Sequence, residues 1–114
     1  MADNGIRALA PVFVTLGASY TTVLGPVPSG KEWEIKVARA TNVANTQATF
    51  SVSFGSGGVQ EVAANEVLPV PTASVVGSKN VFGPDIPPLP PGTLIQAKGT
   101  GSVRMSFFLY ERDL

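Results

Sequence analysis

Apolar and polar residues alternate with a period of two over much of this sequence, and this alternation restricts the chain to β-strands. Residues 32–37 (EWEIKV) alternate charged and apolar residues without exception, as a strand with one buried face requires. Residues 48–54 (ATFSVSF) repeat the pattern with hydroxyl residues in place of charges. The residues predicted to face inward are Trp33, Ile35, Val37, Phe50, Val52 and Phe54, and those predicted to face outward are Thr49, Ser51 and Ser53.

Turn-forming residues between these strands predict two antiparallel hairpins. Residues 42–46 (NVANT) separate the strand at 32–37 from the strand at 48–54, and they predict a hairpin with a loop longer than two residues. A second hairpin is predicted from strands at 93–98 and 102–111, with a Gly-Thr-Gly turn between them. In the last strand, the residues predicted to face the core are Val103, Met105, Phe107 and Leu109.

The remaining pattern predicts an all-β fold with essentially no helix. Additional strand candidates are residues 12–16 and 20–24, and short pieces at 67–70, 75–76 and 81–82 within a stretch rich in glycine and proline. About seven or eight strands without a helical pattern predict an antiparallel two-sheet β-sandwich or jelly roll. We expect residues 1–10 to form an N-terminal arm and residues 11–114 to form a single β-sandwich domain.

Composition excludes several classes of function. The 114 residues include no His and no Cys, so disulfides, zinc clusters, thiol nucleophiles and histidine acid-base pairs are absent. Because 8 Lys+Arg balance 8 Asp+Glu, no basic excess points to nucleic acid. The apolar run at residues 8–16 contains Pro11 and Thr15 and is far shorter than the ~20 residues of a membrane span. We expect no cofactor, no nucleic-acid partner and no membrane partner.

The carboxylates do not predict a catalytic or metal site. Glu32 and Glu34 would lie about 7 Å apart on one strand face, a separation that a glycosidase pair can use. Lys31 and Lys36 flank them, which favours a solvated or interfacial face over a catalytic pair. The sequence has no Asp-x-Asp-x-Asp-Gly run of a calcium loop. We therefore expect a protein that is not an enzyme.

Two segments resemble small β-sandwich virion proteins of tailed bacteriophages, the decoration, head-tail and tail-associated proteins. They are VPSGKEWEIKVARATNVANTQATFSVSF at residues 27–54 and LPPGTLIQAKGTGSVRMSFFLYE at residues 89–111. The matching residues are Pro28, Gly30, Ile35, Val37, Asn42, Ala48, Thr49, Phe50, Val52, Gly92, Ile95, Ala97, Tyr110 and Glu111. This chain has Thr93 where the family often has an acidic residue. The resemblance implies a β-sandwich with a structural role in the virion.

The outward face of the last strand is the predicted contact surface. Phe108 and Tyr110 would point away from the core beside Arg104, and two outward aromatic residues exceed what a monomer usually exposes. Either a loop or the N-terminal arm of the same chain, or a neighbouring subunit, would cover them, and an arm exchanged between copies would combine the two interpretations. The proline-rich segment 84–92 is a further candidate. The residues predicted to make contacts are Phe108, Tyr110, Arg104, Ile6, Leu9, Pro87 and Pro88.

The resemblance thus implies a bacteriophage structural protein, which we expect to form a homo-oligomer, a trimer or a ring, and to bind the capsid or the neck or tail surface. Its expected location is the virion, after synthesis in the cytoplasm of the bacterial host. Only 14% of the residues are charged, about half the usual ~25%, as expected of a surface shared with other subunits. The alternative is a carbohydrate-binding module in which Tyr20 or Phe82 stacks on a sugar, although Trp33, the best stacking residue, is predicted to face inward.

Overall fold

Two antiparallel β-sheets form the fold, as the alternation predicts. The computed structural model describes residues 6–55, 60–72, 77–81 and 87–114. These residues form nine strands and no helix, and so contain no helix able to cross a membrane. The strands are β1 (Ile6–Ala8), β2 (Val12–Thr15), β3 (Thr21–Leu24), β4 (Lys31–Asn42), β5 (Ala48–Phe54), β6 (Gln60–Leu68), β7 (Ser78–Asn80), β8 (Ile95–Thr100) and β9 (Val103–Asp113).

The strand order places β9 at the centre of one sheet. Sheet A has the order β1-β9-β4-β7, and β2 pairs with β9 on the same side as β1. Sheet B has the order β3-β8-β5-β6. All pairings are antiparallel. The two sheets form a β-sandwich, so each sheet has an inner face toward the core and an outer face.

Both predicted hairpins are wrong. Strands β4 and β5 are consecutive in the chain, but β4 pairs with β9 and β7 in sheet A while β5 pairs with β6 and β8 in sheet B. Strands β8 and β9 likewise lie in different sheets. The two connections cross the sandwich from one sheet to the other. Alternation identifies the buried face of a strand but not the strand it pairs with. Two consecutive strands show the same alternation whether they pair in one sheet or lie in two sheets that face each other.

A β-bulge in β4 changes which residues face the core. The pairing of β4 with β9 shifts register between Ile35 and Val37, and an extra residue in one strand reverses the alternation beyond it. Ile35 is buried as predicted and Trp33 is half-buried, whereas Val37 is exposed, which corrects its predicted inward orientation. After the bulge, Ala38 and Ala40 take the buried positions.

Strand β5 departs from the simple pattern on its outer face. Phe50 and Val52 are buried as predicted and Phe54 is half-buried, but Ser51 and Ser53 are buried instead of exposed. These small side chains lie in an interior strand, opposite the longer Lys98 and Gln96 of β8. The hydroxyl of Ser51 accepts a hydrogen bond from the Asn65 backbone N–H at 2.9 Å. Longer neighbours and the backbone of β6 therefore exclude solvent from the two serines.

The described part of the predicted arm is a strand of sheet A. Strand β1 pairs with the end of β9, and the Leu9 backbone N–H donates to the Leu109 carbonyl at 3.0 Å. Of the short pieces predicted between residues 55 and 92, residues 67–68 belong to β6, which is longer than the pattern indicates. Residues 75–76 lie outside the described residues, and Val81 follows β7 without being part of a strand.

The core lies between the inner faces of the two sheets. Strand β9 contributes Val103, Met105, Phe107 and Leu109, all buried as the alternation predicts. Sheet B contributes further large side chains, of which Phe50, Leu68 and Ile95 are fully buried. Strand β9 is paired on both sides and covered on its inner face, so it fixes the positions of the β1, β2 and β4 residues on the outer face of sheet A.

Candidate functional site

On strands β1, β2, β4 and β9, the outer face of sheet A consists of five rows of residues fixed by strand register. Each row crosses β9 and continues into β4 on one side and, in most rows, into β1 or β2 on the other. The rows are Thr15, Arg104 and Thr41; Phe13, Ser106 and Arg39; Phe108 and Val37; Ala8, Tyr110 and Glu34; and Ile6, Arg112 and Glu32. Successive rows are about 7 Å apart, and we name each by its β9 residue.

The centre of this face is apolar and aromatic. Phe13 is 63% exposed, Phe108 41% and Tyr110 39%, and Val37 is also exposed. The rings of Phe13 and Phe108 meet edge to face, with centroids 6.2 Å apart and planes at 86°. Exposed aromatic residues that adjoin one another on a sheet face are typical of interaction surfaces.

Most of the sequence-predicted contact residues lie on this face. Phe108, Tyr110 and Arg104 point outward as predicted, and Ile6 lies at the edge, exposed, in row 112. Strand β1 lies beside β9 in the plane of the sheet, so the described part of the arm does not cover the two aromatic residues. Leu9 is half-buried and packs against the core.

Phe13 is an exposed aromatic residue that the alternation pattern does not reveal. It is the second residue of β2 (VFVT), between Val12 and Val14, which are half-buried against the core. An apolar residue at the outward position of a short strand looks the same in sequence as a buried one. Its contact with Phe108 would distinguish the two cases, but that contact depends on the pairing of β2 with β9.

A shallow pocket of about 150 Å³ opens beside the aromatic residues. Its lining residues are Ala8, Leu9, Lys36, Phe108, Leu109 and Tyr110. The Lys36 ammonium lies at its rim, 5.6 Å from the centre of the Tyr110 ring. The pocket therefore offers an apolar floor with one cation at the edge.

Charge is unevenly distributed along the same face. In the lower rows, Arg112 pairs with Glu32 at 3.3 Å, and Lys36 pairs with Glu34 at 2.9 Å. In the upper rows, Arg39 and Arg104 are exposed, and in the part of the chain that the structure describes neither has a carboxylate within ion-pair distance. One end of the face is charge-balanced and the other end is cationic.

Below this face, Glu111 holds three strands together at the end of the sandwich. It is only 7% exposed and lies on the inner side of β9, opposite Trp33 of β4 and Arg7 of β1. The Trp33 indole N–H donates to its carboxylate at 2.8 Å, and Arg7 forms an ion pair with it. These hydrogen bonds, the one from Trp33 foremost, keep the pKa of Glu111 below its ordinary value.

We expect Glu111→Gln to remove an acid-dependent part of the stability. Because folding lowers the pKa, the carboxylate stabilises the fold fully above its ordinary pKa of 4.5 and loses this effect as pH falls through the lower folded-state pKa. The variant should be less stable than the wild type at pH 7, and the difference should shrink toward pH 3. Urea titrations at several pH values, followed by the fluorescence of Trp33, the one tryptophan of the chain, measure it. A difference that stays constant with pH would contradict the assignment.

The predicted contact residues Pro87 and Pro88 lie apart from this face. Leu89 pairs with Trp33 through two backbone hydrogen bonds of 2.7 and 3.0 Å, so the segment with the exposed Pro87 and Pro88 follows the edge of β4 that faces away from β9. Strands β9 and β4 separate it from Ile6. The structure therefore does not bring the predicted proline contacts together with the arm.

Among the described residues, neither the acidic residues nor the sugar-stacking candidates form a site of their own. Glu32 and Glu34 border a space of only about 10 Å³, and the described residues contain no acidic cluster able to hold a metal ion. Trp33 is half-buried and bonded to Glu111. The Lys98 ammonium lies 4.8 Å from the centre of the Tyr20 ring and occupies one face of it, and Phe82 lies outside the described residues.

Fold and surface together define a small β-sandwich with an aromatic, partly cationic outer sheet face. Comparison of the chain with protein-family models, with curated proteins and with solved structures finds no match. The physical character of the outer face of sheet A is thus the structural observation that bears most directly on function.

Proposed function

We propose that this chain is a non-enzymatic structural protein of a bacteriophage virion, which self-associates and attaches to the capsid or to the neck or tail. One observation carries the proposal: the apolar centre of the outer face of sheet A is uncovered in the described part of the chain. An exposed apolar surface of this kind binds another protein surface through packing contacts and complementary shape. On the same face, the carboxylates of Glu34 and Glu32 form ion pairs with Lys36 and Arg112 and border a space of only about 10 Å³.

The size of the aromatic surface supports a role in association. A buried aromatic side chain covers about 150–250 Å², so the exposed fractions of Phe13, Phe108 and Tyr110 correspond to roughly 200–350 Å² on each copy. At about 25 cal/mol per Å², covering it contributes roughly 5–9 kcal/mol before the cost of association. A single exposed ion pair contributes about 1 kcal/mol or less. Apolar contact is thus the largest source of association free energy that this face offers.

The resemblance to virion proteins supplies the biological setting. Its two segments, residues 27–54 and 89–111, contain strands β4, β5 and β8 and most of β9. These strands are paired on both sides over much of their length. A resemblance that lies in the interior strands of both sheets concerns the framework of the sandwich and supports a shared fold. The proposed location, the virion, follows from this resemblance.

The test is the protein content of phage particles. We expect quantitative mass spectrometry of density-gradient-purified particles from the encoding host to find this chain in many copies, at a fixed ratio to the major capsid or tail protein. Absence from purified particles would refute the proposal. A glycan array with the purified protein tests the carbohydrate-binding alternative, because specific glycan binding without incorporation into particles would favour it.

A further inference from the structure

We propose that two copies of this chain pack outer face to outer face of sheet A, related by a two-fold axis that runs across the strands at row 108. The proposal rests on the self-association proposed above and names its geometry. Such an axis lies in the interface and reverses the strand direction. Each copy then presents the same strand column to its partner, and row 106 of one copy meets row 110 of the other. A symmetric contact of this kind pairs a residue i with j and j with i.

The first match is between the most exposed ring and the pocket. Phe13 lies in row 106 and Ala8 lies in row 110, both in the column beside β9. The two-fold axis therefore places Phe13 of one copy over Ala8 and Tyr110 of the other. These two residues line the shallow pocket of about 150 Å³, and a cavity of about 150 Å³ accepts a benzene ring. The same operation brings both Phe108 rings together at the axis.

The second match is between opposite charges. Arg39 lies in row 106 and Glu34 in row 110, both in the column of β4. The axis that seats Phe13 also places Arg39, which has no carboxylate partner among the described residues of its own chain, opposite Glu34 of the second copy. In the column of β9, the same axis sets Arg104 opposite Arg112, whose charge is balanced within its own chain by the ion pair with Glu32. One two-fold operation thus places Phe13 on the pocket and Arg39 opposite Glu34.

A two-fold axis parallel to β9 would also pack the same two faces together, but it gives less favourable contacts. An axis parallel to β9 keeps the rows in place and exchanges the columns, so it sets Arg104 of one copy on Arg104 of the other and Phe13 on Arg39. Here two arginines that lack a carboxylate partner among the described residues meet, and like charges in a desolvated contact oppose association. This arrangement also gives Arg39 no carboxylate of the second copy as a partner. Packed sheets cross at an angle of about 30°. For a residue that lies about 8 Å from the axis, this rotation shifts its position over the partner by roughly 4 Å. An arginine or phenylalanine side chain can reach its contact across such a shift.

The dimensions of the face set the expected affinity. Rows 104 to 112 extend about 27 Å, and the columns from β1 and β2 to β4 extend about 10–15 Å. This footprint is at the small end for stable interfaces. We expect a reversible dimer with a dissociation constant in the micromolar range, formed through a contact that leaves the outer face of sheet B free.

Charge reversal across the axis tests the proposal. Arg39→Glu alone creates two Glu-Glu contacts in a homodimer, and Glu34→Arg alone creates two Arg-Arg contacts. We expect each variant by itself to weaken dimerisation at least 10-fold, measured by sedimentation velocity over 1–200 μM. An equimolar mixture of the two variants restores both opposite-charge contacts, so it should dimerise within about 3-fold of the wild type. Phe13→Ser should weaken dimerisation at least as strongly and should not be rescued by either variant.

Controls separate the failure of this proposal from the failure of the proposed function. Lys98→Glu changes the same charge on the outer face of sheet B and should leave the dimer unchanged, and circular dichroism should show that every variant keeps its β-structure. A wild type that is monomeric over the whole range, a trimer or ring, or a mixture that fails to rescue would overturn this geometry. A trimer, a ring or a failed rescue would leave the proposed self-association standing, whereas a monomeric wild type would remove it. Incorporation into phage particles is measured independently, so the proposed role in the virion and the dimer geometry can fail separately.

Discussion

Phe107→Ala should lower the stability of the fold, whereas Phe108→Ala, at the adjacent position of β9, should weaken self-association. Phe107 is fully buried in the core, and removing a buried aromatic ring costs about 3–5 kcal/mol of unfolding free energy because a cavity remains. Phe108 is half-exposed and contacts Phe13 at its edge, so its removal should cost about 1 kcal/mol or less. It should instead weaken self-association at least 10-fold, because Phe108 lies at the proposed axis.

Thermal unfolding and sedimentation measure the two effects separately. For a domain of this size, 1 kcal/mol corresponds to about 4–8 °C in Tm, so we expect Phe107→Ala to lower Tm by more than 10 °C and Phe108→Ala by only a few degrees. Unfolding is compared at a concentration where the wild type is monomeric, which removes the contribution of dimerisation to Tm. Equal losses of stability in the two variants, or an unchanged dissociation constant for Phe108→Ala, would contradict the assignment of the two faces.

The two faces of β9 could be predicted from the sequence because β9 is a regular strand with a core on one side only. Its inward residues are all buried, and Arg104, Phe108 and Tyr110 are exposed as predicted. Strand β4 shows the limit of the same reasoning. Its bulge between Ile35 and Val37 moves the buried positions to Ala38 and Ala40. A single extra residue of this kind leaves no mark in the residue types themselves.

The partners of the strands could not be predicted, and with them most of the candidate site. Which residues share a row depends on pairings between distant segments, such as Phe13 with Ser106 and Arg39 with Ser106. Trp33 and Glu111, whose contact stabilises the end of the sandwich, are 78 positions apart in the chain. Local alternation indicates strands and their faces, whereas the register of long-range pairing is decided by packing of the whole core.

Asn42 lies where the chain leaves sheet A for sheet B, and the sequence pattern predicts it only as one of several turn formers. It is the last residue of β4 and is 1% exposed. Its amide N–H donates to the Thr46 carbonyl at 2.7 Å and to the Pro69 carbonyl at 3.2 Å. Its side-chain carbonyl accepts from the Ala44 backbone N–H at 2.9 Å. One side chain thus joins the connection between the two sheets to the segment that follows β6.

Asn42→Ala should therefore destabilise the fold by about 3 kcal/mol. The substitution leaves backbone groups around a buried position without partners, at about 1–3 kcal/mol for each group that water does not reach. Asn42→Asp should also be destabilising, because a carboxylate accepts from Ala44 but cannot donate to the two carbonyls. Asn45→Ala, in the same connection at an exposed position, is the matched control and should change stability by less than about 0.5 kcal/mol.

Urea denaturation of these variants at pH 7 distinguishes a role in the crossover from a role in the outer face. Asn42 is absent from the five rows of the outer face, so Asn42→Ala should retain the wild-type dissociation constant at temperatures where it stays folded. Its loss of stability should appear as a lower midpoint with an unchanged slope, since the same surface is exposed on unfolding. If Asn42→Ala were as stable as Asn45→Ala, the hydrogen bonds of Asn42 would not be what holds this crossover in place.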